Sequence, residues 1–351
     1  MTRVAVVGAT GAVGREIVRI LEERNFPLDE LVLLASERSE GKRLKFRGET
    51  LSVQALEDGW HRGIDLALAS AGTSLSREIV PPAAKAGAVI VDNSSAFRMH
   101  PDAPLVIPEI NAHALANHKG IIANPNCTAI TALLPLGPLH AAFGLRSLIT
   151  SSYQSASGAG MKGVRELAEQ IEKLHGQEED LGYPERESLP VGDVFPDTLA
   201  FNVIPVVEEF DLQGSGFTTE ELKMGDECRK ILELPELPVS ATAVRVPVAV
   251  GHAVSAYAAF ERSVTPDDAR RVLRAAPGVE VVDDPKRGIF PTPLDGAGID
   301  DVLVGRIRQT AGDSHALMYF SVGDNLRKGA ALNAVQIAEL LVQGASPEES
   351  R

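Results

Sequence analysis

Gly8-Ala9-Thr10-Gly11-Ala12-Val13-Gly14, directly behind the apolar run Val4–Val7, decides how this chain folds. The run reads as a short buried strand of a parallel sheet, which is apolar on both faces. The residues after it predict a helix over Ala12–Glu23, with Val13, Ile17, Ile20 and Leu21 on one face. The spacing is GxxGxxG, a relative of the GxGxxG dinucleotide fingerprint. Its physics is similar, because glycines permit the tight turn and the close helix packing, and the helix N-terminus faces a pyrophosphate. A glycine turn kept only for packing is the plainer alternative, and the strand before and amphipathic helix after favour the nucleotide loop.

Working outward, Leu31–Ala35, Asp65–Ala69 and Ala88–Val91 are further apolar runs. The last two lead into Ser70-Ala71-Gly72 and Asp92-Asn93-Ser94-Ser95, small polar residues of the kind found where open α/β sheets bind ligands. The pattern predicts an α/β, doubly wound, Rossmann-type domain. The middle of the chain differs. Leu148–Gln154, Val239–Val250, Ala253–Glu261, Val302–Arg308 and Ala316–Val322 read as strands, and Met161–Leu174 as a charged helix. Gly176–Thr198, polar and rich in Pro and Gly, reads as a surface excursion. Thr218-Thr219 before Glu220-Glu221 starts a helix to Leu232, and Thr265-Pro266 starts another to Ala276. Gly329–Val342 is a final helix and Gly344–Arg351 a polar tail.

Composition sets the outer limits. At 351 residues, two domains are the default. A net charge of −14 without a basic block makes nucleic acid and anionic membranes poor partners. Any anionic ligand must be held by locally clustered Arg and Lys. Two cysteines, Cys127 and Cys228, make no disulfide framework and fit a reducing cytoplasm. No signal peptide, membrane span or metal site is expected.

Three places carry chemistry. Ser36-Glu37-Arg38-Ser39 follows the second strand, where a carboxylate serves the ribose of NAD and an Arg with hydroxyls serves the 2′-phosphate of NADP. Arg38 between Ser36 and Ser39 favours NADP; Glu37 either serves NAD or points to solvent. Asn124-Pro125-Asn126-Cys127-Thr128 sets a thiol in a polar turn ahead of an apolar helical run, Ala129–Leu136. The helix dipole and unpaired N–H groups there favour the thiolate, the nucleophilic form. Taken alone, Cys127 would more often be a small buried hydrophobe. Finally, Gly251-His252 follows an apolar strand, a context none of the other seven histidines shares.

These segments, with Asp92–Met99, Gln154–Gly160, Glu220–Met224, Arg245–His252 and Asp324–Ala334, resemble the aspartate-β-semialdehyde dehydrogenase family over nearly the whole length. The resemblance implies an NADP-binding Rossmann domain, 1–127, completed by the C-terminal helix, 329–351. It also implies a central α+β catalytic and dimerisation domain, 128–328. The implied reaction is the reductive dephosphorylation of L-4-aspartyl phosphate to aspartate 4-semialdehyde, in the pathway to lysine/diaminopimelate, methionine, threonine and isoleucine. By position, Cys127 is the nucleophile that forms a thioester, His252 the acid/base and Gln154 the group orienting the acyl carbon. The cofactor would lie on Gly8, Thr10, Gly11, Ala12, Val13, Gly14, Ser36, Arg38, Ser39, Ser70, Ala71 and Gly72, with Ser157, Gly158 and Asn325 about the nicotinamide. Arg98 and Lys223 would hold phosphate, helped by Asn93. Glu220 would take the substrate ammonium and Arg245 its carboxylate.

The family's usual Ser-Thr after the cysteine is Thr128-Ala129 here, and Ala253 and Thr73 also depart from its habit. None of these removes a group with a named chemical role. An N-acetylglutamyl phosphate reductase and a non-catalytic relative are the alternatives. Glu220 with Arg245 argues against the first, and the intact Cys127, Gln154 and His252 against the second. A homodimer in the cytoplasm is implied, with pairing into tetramers left open.

Overall fold

The structure, a computed structural model, describes residues 2–182, 184–185 and 188–344. The polar tail expected beyond Gly344 lies outside them. The described residues form two compact units: 2–138, 226–237 and 326–344 in the first, 139–225 and 238–325 in the second.

The first unit contains β1 (Arg3–Val7), β2 (Glu30–Ala35), β3 (Arg43–Phe46), β4 (Glu49–Ser52), β5 (Gln54–Ala55), β6 (Leu66–Ala69), β7 (Val89–Asp92) and β8 (Ile121–Ala123). β3 and β4 form a separate antiparallel pair. The other six make one parallel sheet in the order β5-β2-β1-β6-β7-β8. This is doubly wound topology, with its switch point between β1 and β6. Helices α1 (Ala12–Glu23), α2 (Thr73–Lys85) and α3 (Pro108–Asn111) belong to the same unit, as does α4 (Cys127–Phe143) through Pro138. α4 starts earlier and ends later than its predicted span, and holds Pro135 and Pro138 inside it. It is buried almost all round through Leu136, as a core helix should be.

The C-terminal segment returns to this sheet. A π-helical stretch, Arg327–Leu332, precedes the last helix, so the helical segment starts two residues before the predicted Gly329. Val335, Ile337 and Ala338 share one core cluster with Val4, Val6, Leu33, Leu68, Ile17 and Leu21. Ion pairs fix the seam: Arg24 grips Glu339 with two bonds at 2.7 and 2.8 Å, and Arg327 reaches Glu16 at 3.0 Å and Glu23 at 2.8 Å.

The second unit is built on β9 (Leu145–Gln154), β10 (Val239–Arg245), β11 (His252–Phe260), β12 (Val279–Val281), β13 (Val302–Thr310) and β14 (Asp313–Gly323), in the mixed order β10-β9-β11-β14-β13-β12. β10 ends at Arg245, five residues before the predicted end, where Val246-Pro247-Val248 leaves the sheet. Around the sheet lie α5 (Met161–Leu174), α7 (Pro266–Arg274) and the short α8 (Pro293–Gly296). α6 (Thr219–Ile231) is divided between the two units, and α9 (Asn333–Val342) is the last helix. α6 opens with a reciprocal cap, in which Glu221 N–H donates to Thr218 Oγ1 at 3.3 Å and Thr218 N–H to the Glu221 carboxylate at 2.8 Å. α7 opens on Thr265, whose hydroxyl accepts from Asp268 N–H.

The predicted surface excursion is only partly one. Its far end is packed, with Phe195 and Thr198 buried. The α5 side chains of Glu166 and Gln170 accept bonds from the backbone of Val194 and Phe195 and of Leu199 and Ala200, so these orphan amides are satisfied without a regular element.

Two glycines hold the switch point. Gly8 adopts φ +83°, and a Cβ there would stand 2.3 Å from the carbonyl oxygen of Ser70 at the end of β6. A Cβ on Gly14 would stand 2.1 Å from the carbonyl oxygen of Gly8, so α1 and the β1 turn approach as closely as glycine permits. Gly14→Ala should therefore lower unfolding stability in urea by about 1–3 kcal/mol, the usual cost of overpacking. An unchanged urea midpoint would show that the turn has room to give.

Candidate functional site

The first unit presents an anion cradle at its switch point. α1 is capped at Gly11 and α2 at Gly72, neither with a side-chain cap and neither with an acidic residue in its first turn. Their leading N–H groups are thus left for an external acceptor, and the positive ends of both helices favour a phosphate. Ser36, Glu37 and Arg38 are exposed at the end of β2, whereas Ser39 is buried and receives bonds from Thr10 Oγ1 at 3.2 Å and Lys42 Nζ at 3.1 Å. The glycine loop and the β2 turn are therefore tied together. These residues fit a dinucleotide, with the pyrophosphate on α1 and the ribose near Ser36–Ser39.

The same unit builds the turn of Cys127. Asn126 caps α4: its Oδ1 accepts from Thr128 N–H at 2.8 Å and Ala129 N–H at 3.3 Å. This corrects the expectation of unpaired N–H groups at that helix start. The dipole remains available to a thiolate, but two of the leading donors are already bound. Asn124 is held by Asn333, whose Nδ2 donates to Asn124 Oδ1 at 2.7 Å.

Arg98 is 9% exposed and bound on three sides: Nε to Asn124 O at 3.1 Å, one terminal nitrogen to Glu227 at 3.0 Å, the other to Asn93 O at 3.0 Å. The Asn93 amide is engaged inside the fold, its Nδ2 donating to Ala69 O and its Oδ1 accepting from Asn124. Cys228 is fully buried and desolvation pushes its thiol well up, as a structural residue requires.

The second unit collects the remaining candidates. His252, the first residue of β11, is fully buried. Ser155 N–H donates to His252 Nδ1 at 3.1 Å, so the neutral ring carries its proton on Nε2. Nε2 is buried and has no hydrogen-bond partner among the described residues. A Cβ on Gly158 would lie 3.2 Å from Nε2 and 2.6 Å from a terminal nitrogen of Arg245, so the missing side chain keeps both groups clear.

Ser155, Ser157 and Asn325 brace the ring. Asn325 Oδ1 accepts from Ser155 Oγ and Gly251 N–H, both at 3.0 Å, and its Nδ2 donates to Ser157 Oγ at 3.0 Å. Arg245 donates to Ser155 O at 2.8 Å and lies over the Phe195 ring. Gln154 Nε2 donates to Glu220 at 3.1 Å, and both side chains are buried. Lys223 stands 4.0 Å from Glu220, but its close partner is Glu208 at 2.7 Å.

Sequence reasoning passed over Glu208, Ser155, Phe195 and Glu227. Only Glu227 carried a visible signal, since Glu220, Lys223 and Glu227 fall at i, i+3 and i+7 on one helix face.

Two family models match the chain: the semialdehyde dehydrogenase NAD-binding domain over residues 3–118 and the semialdehyde dehydrogenase dimerisation domain over 136–328. The aspartate-semialdehyde dehydrogenase of Aquifex aeolicus is 47% identical over 97% of this chain and 98% of its own. That of Bacillus subtilis is 46% identical over 96% of each. The chain belongs to the aspartate-semialdehyde dehydrogenase family. Among solved members, aspartate semialdehyde dehydrogenase II of Vibrio cholerae, complexed with ASA, superposes with a TM-score of 0.91 at 43% identity, covering 99% of both chains. No described helix is long and apolar enough to cross a membrane.

Burial first, and the positive charge of Arg245 second, hold the His252 imidazole well below its ordinary range. The folded chain therefore binds this proton less readily than the unfolded chain, whose imidazole titrates near its usual value of about 6.5. Stability should fall as pH drops below about 6.5, by up to about 1.4 kcal/mol per pH unit until the folded ring titrates. Urea unfolding at pH 7.5 and 5.5 should show the wild type losing more than His252→Gln. Equal losses would mean that the ring protonates freely in the fold.

Proposed function

We propose that this protein is an NADP-dependent aspartate-semialdehyde dehydrogenase of the phosphorylating type, acting in amino-acid biosynthesis through a Cys127 thioester. The observation that carries the reading is His252, a buried imidazole whose Nε2 has no hydrogen-bond partner among the described residues, beside Gly158, where a Cβ would crowd both the ring and Arg245. Family membership and the Vibrio cholerae relative complexed with ASA support it.

Cys127 Sγ attacks the acyl carbon of aspartyl phosphate, phosphate leaves, and a thioester remains on sulfur. The nicotinamide, when bound, supplies the hydride that reduces this acyl group. His252 Nε2–H stabilises the oxygen as negative charge develops on it, and the ring handles the proton as the thiohemiacetal releases aldehyde and thiolate. Gln154 orients the acyl group. Arg245 takes the α-carboxylate and Glu220 the ammonium, a zwitterion clamp that an acetylated amine would leave half unpaired. Arg98 and Lys223 act on phosphate, as charge-assisted donors suit. Arg38, exposed beside Ser36, takes the 2′-phosphate. Ser157, Gly158 and Asn325 line the nicotinamide.

The protein is read as a homodimer formed on the open face of the second sheet. Ile149 and Tyr153 of β9 are exposed there, and the Tyr153 ring lies tilted 5.9 Å from that of Phe320 of β14 across β11. An uncovered aromatic and aliphatic sheet face of this kind marks an association surface.

The decisive assay is phosphate-dependent reduction of NADP with aspartate semialdehyde. The wild type should turn over and Cys127→Ser should not, while Cys228→Ser keeps activity. Arg38→Ala should weaken NADP about ten- to a hundredfold and spare NAD, on the scale of a lost charged hydrogen bond. No phosphate dependence, or an active Cys127→Ser, would sink the reading. In sedimentation, the wild type should run as a dimer and Tyr153→Asp should shift toward monomer; a monomeric wild type would remove the sheet face from this role.

A further inference from the structure

We propose that Glu227 is a positioning residue for the nucleophile, its buried carboxylate fixing the Cys127 turn and the Arg98 guanidinium as one charge-neutral assembly. The inference rests on Cys127 being the nucleophile.

Glu227 is 1% exposed on α6. Its Oε2 accepts from the N–H of Asn126, the residue before Cys127, at 2.7 Å. Its Oε1 accepts from Arg98 at 3.0 Å. Arg98 in turn donates to Asn124 O, two residues before Asn126. A closed ring results: carboxylate, guanidinium, and the backbone of Asn124-Pro125-Asn126. Pro125 stiffens its chain segment. With its backbone N–H held, Asn126 places the side chain that caps α4, and Cys127 follows as the first helical residue.

α6 holds the Arg98 segment at a second point. Lys230, three residues on from Glu227, donates to the carbonyls of Arg98, His100 and Ala103 at 2.7, 2.9 and 2.9 Å. The charged groups about the turn in this unit include Arg98, Glu227 and Lys230, the buried Asp92, which interacts with Arg98, and the Lys328–Glu109 pair linked through Asn333 to Asn124.

The electrostatics follow from burial. A carboxylate hydrogen-bonded to the residue before the thiol opposes a thiolate, and screening by water is weak at this depth. Arg98 cancels that charge. The two partners therefore act with opposite sign on the thiol, yet together on its placement.

The test uses the full-length enzyme and the variants Glu227→Gln, Arg98→Leu and their double. Glu227→Gln keeps the shape and one acceptor; Glu227→Asp serves as the second variant should it fail to fold. Turnover, KM for phosphate and for NADP, the iodoacetamide rate at Cys127, and melting temperature are measured for each.

For Glu227→Gln, kcat should fall at least tenfold and KM for phosphate should rise, while KM for NADP stays within twofold. Alkylation of Cys127 should quicken at least threefold in Glu227→Gln and slow at least threefold in Arg98→Leu. The double variant should lose far less than the product of the two singles, because both act through one pair. Glu227→Asp, with its shorter reach, should also lose kcat. Wild-type kinetics in a folded Glu227→Gln or Glu227→Asp, multiplicative losses in the double, or alkylation slowed alike in both singles would each overturn the proposal. If alkylating Cys127 leaves the wild type active, the nucleophile reading itself fails; if it inactivates the wild type and Glu227→Gln is silent, only the positioning role fails.

Discussion

At 1% exposure the Glu227 carboxylate is almost wholly buried, and Arg98 and the Asn126 N–H both donate to it. Removing one partner from a buried pair typically costs about 3–5 kcal/mol, since the other charge is left uncompensated. The pair joins positions 129 residues apart, and residues 226–237 belong to the first unit although they come from the middle of the chain. The pair is bonded to the backbone of Asn93, Asn124 and Asn126, on both sides of the Cys127 turn. A surface ion pair of the same composition would have little such authority, because solvent competes for both partners.

The second unit solves a different problem, that of burying an imidazole with one nitrogen deliberately unused. Ser155, Ser157, Asn325 and the Gly251 N–H satisfy one another around His252 Nδ1, leaving Nε2 without a partner among the described residues. Such networks are stiff when complete. They also choose the tautomer, since a backbone N–H can only donate. Gly158 belongs to the same arrangement, because any side chain there would collide with Arg245 and crowd the imidazole. Glycine in this place is a matter of space and not of backbone conformation.

Local signals were legible wherever a residue's partners lie close along the chain. α5 runs over the predicted Met161–Leu174, α1 over Ala12–Glu23, and Thr218 and Thr265 cap the helices they were expected to start. These depend on three- and four-residue spacing, which the sequence displays directly. The end of β10 at Arg245 was not legible, since Val246–Val250 is as apolar as a strand, yet after Val246, which still donates to Gln154 O, its carbonyls at Val248 and Ala249 accept from Ala156 and Ser157. The packed end of the Gly176–Thr198 stretch was missed for a related reason. Its amides are satisfied by Glu166 and Gln170 of α5, helix positions that look solvent-facing in isolation.

The sequence by itself determined the doubly wound first domain, the nucleotide loop, the thiol at a helix start and the singular context of the Gly251-His252 pair, because each is a local pattern of residue type and spacing. Tertiary structure alone decided what those groups experience. It put Glu227 and Arg98 together at the Cys127 turn, turned the amide of Asn93 inward, gave Lys223 to Glu208, and buried His252 against Ser155. The reason is that a charge or a proton affinity is set by burial and by whichever partner stands within about 3 Å. Those partners are brought from far along the chain by the packing of the sheets and helices.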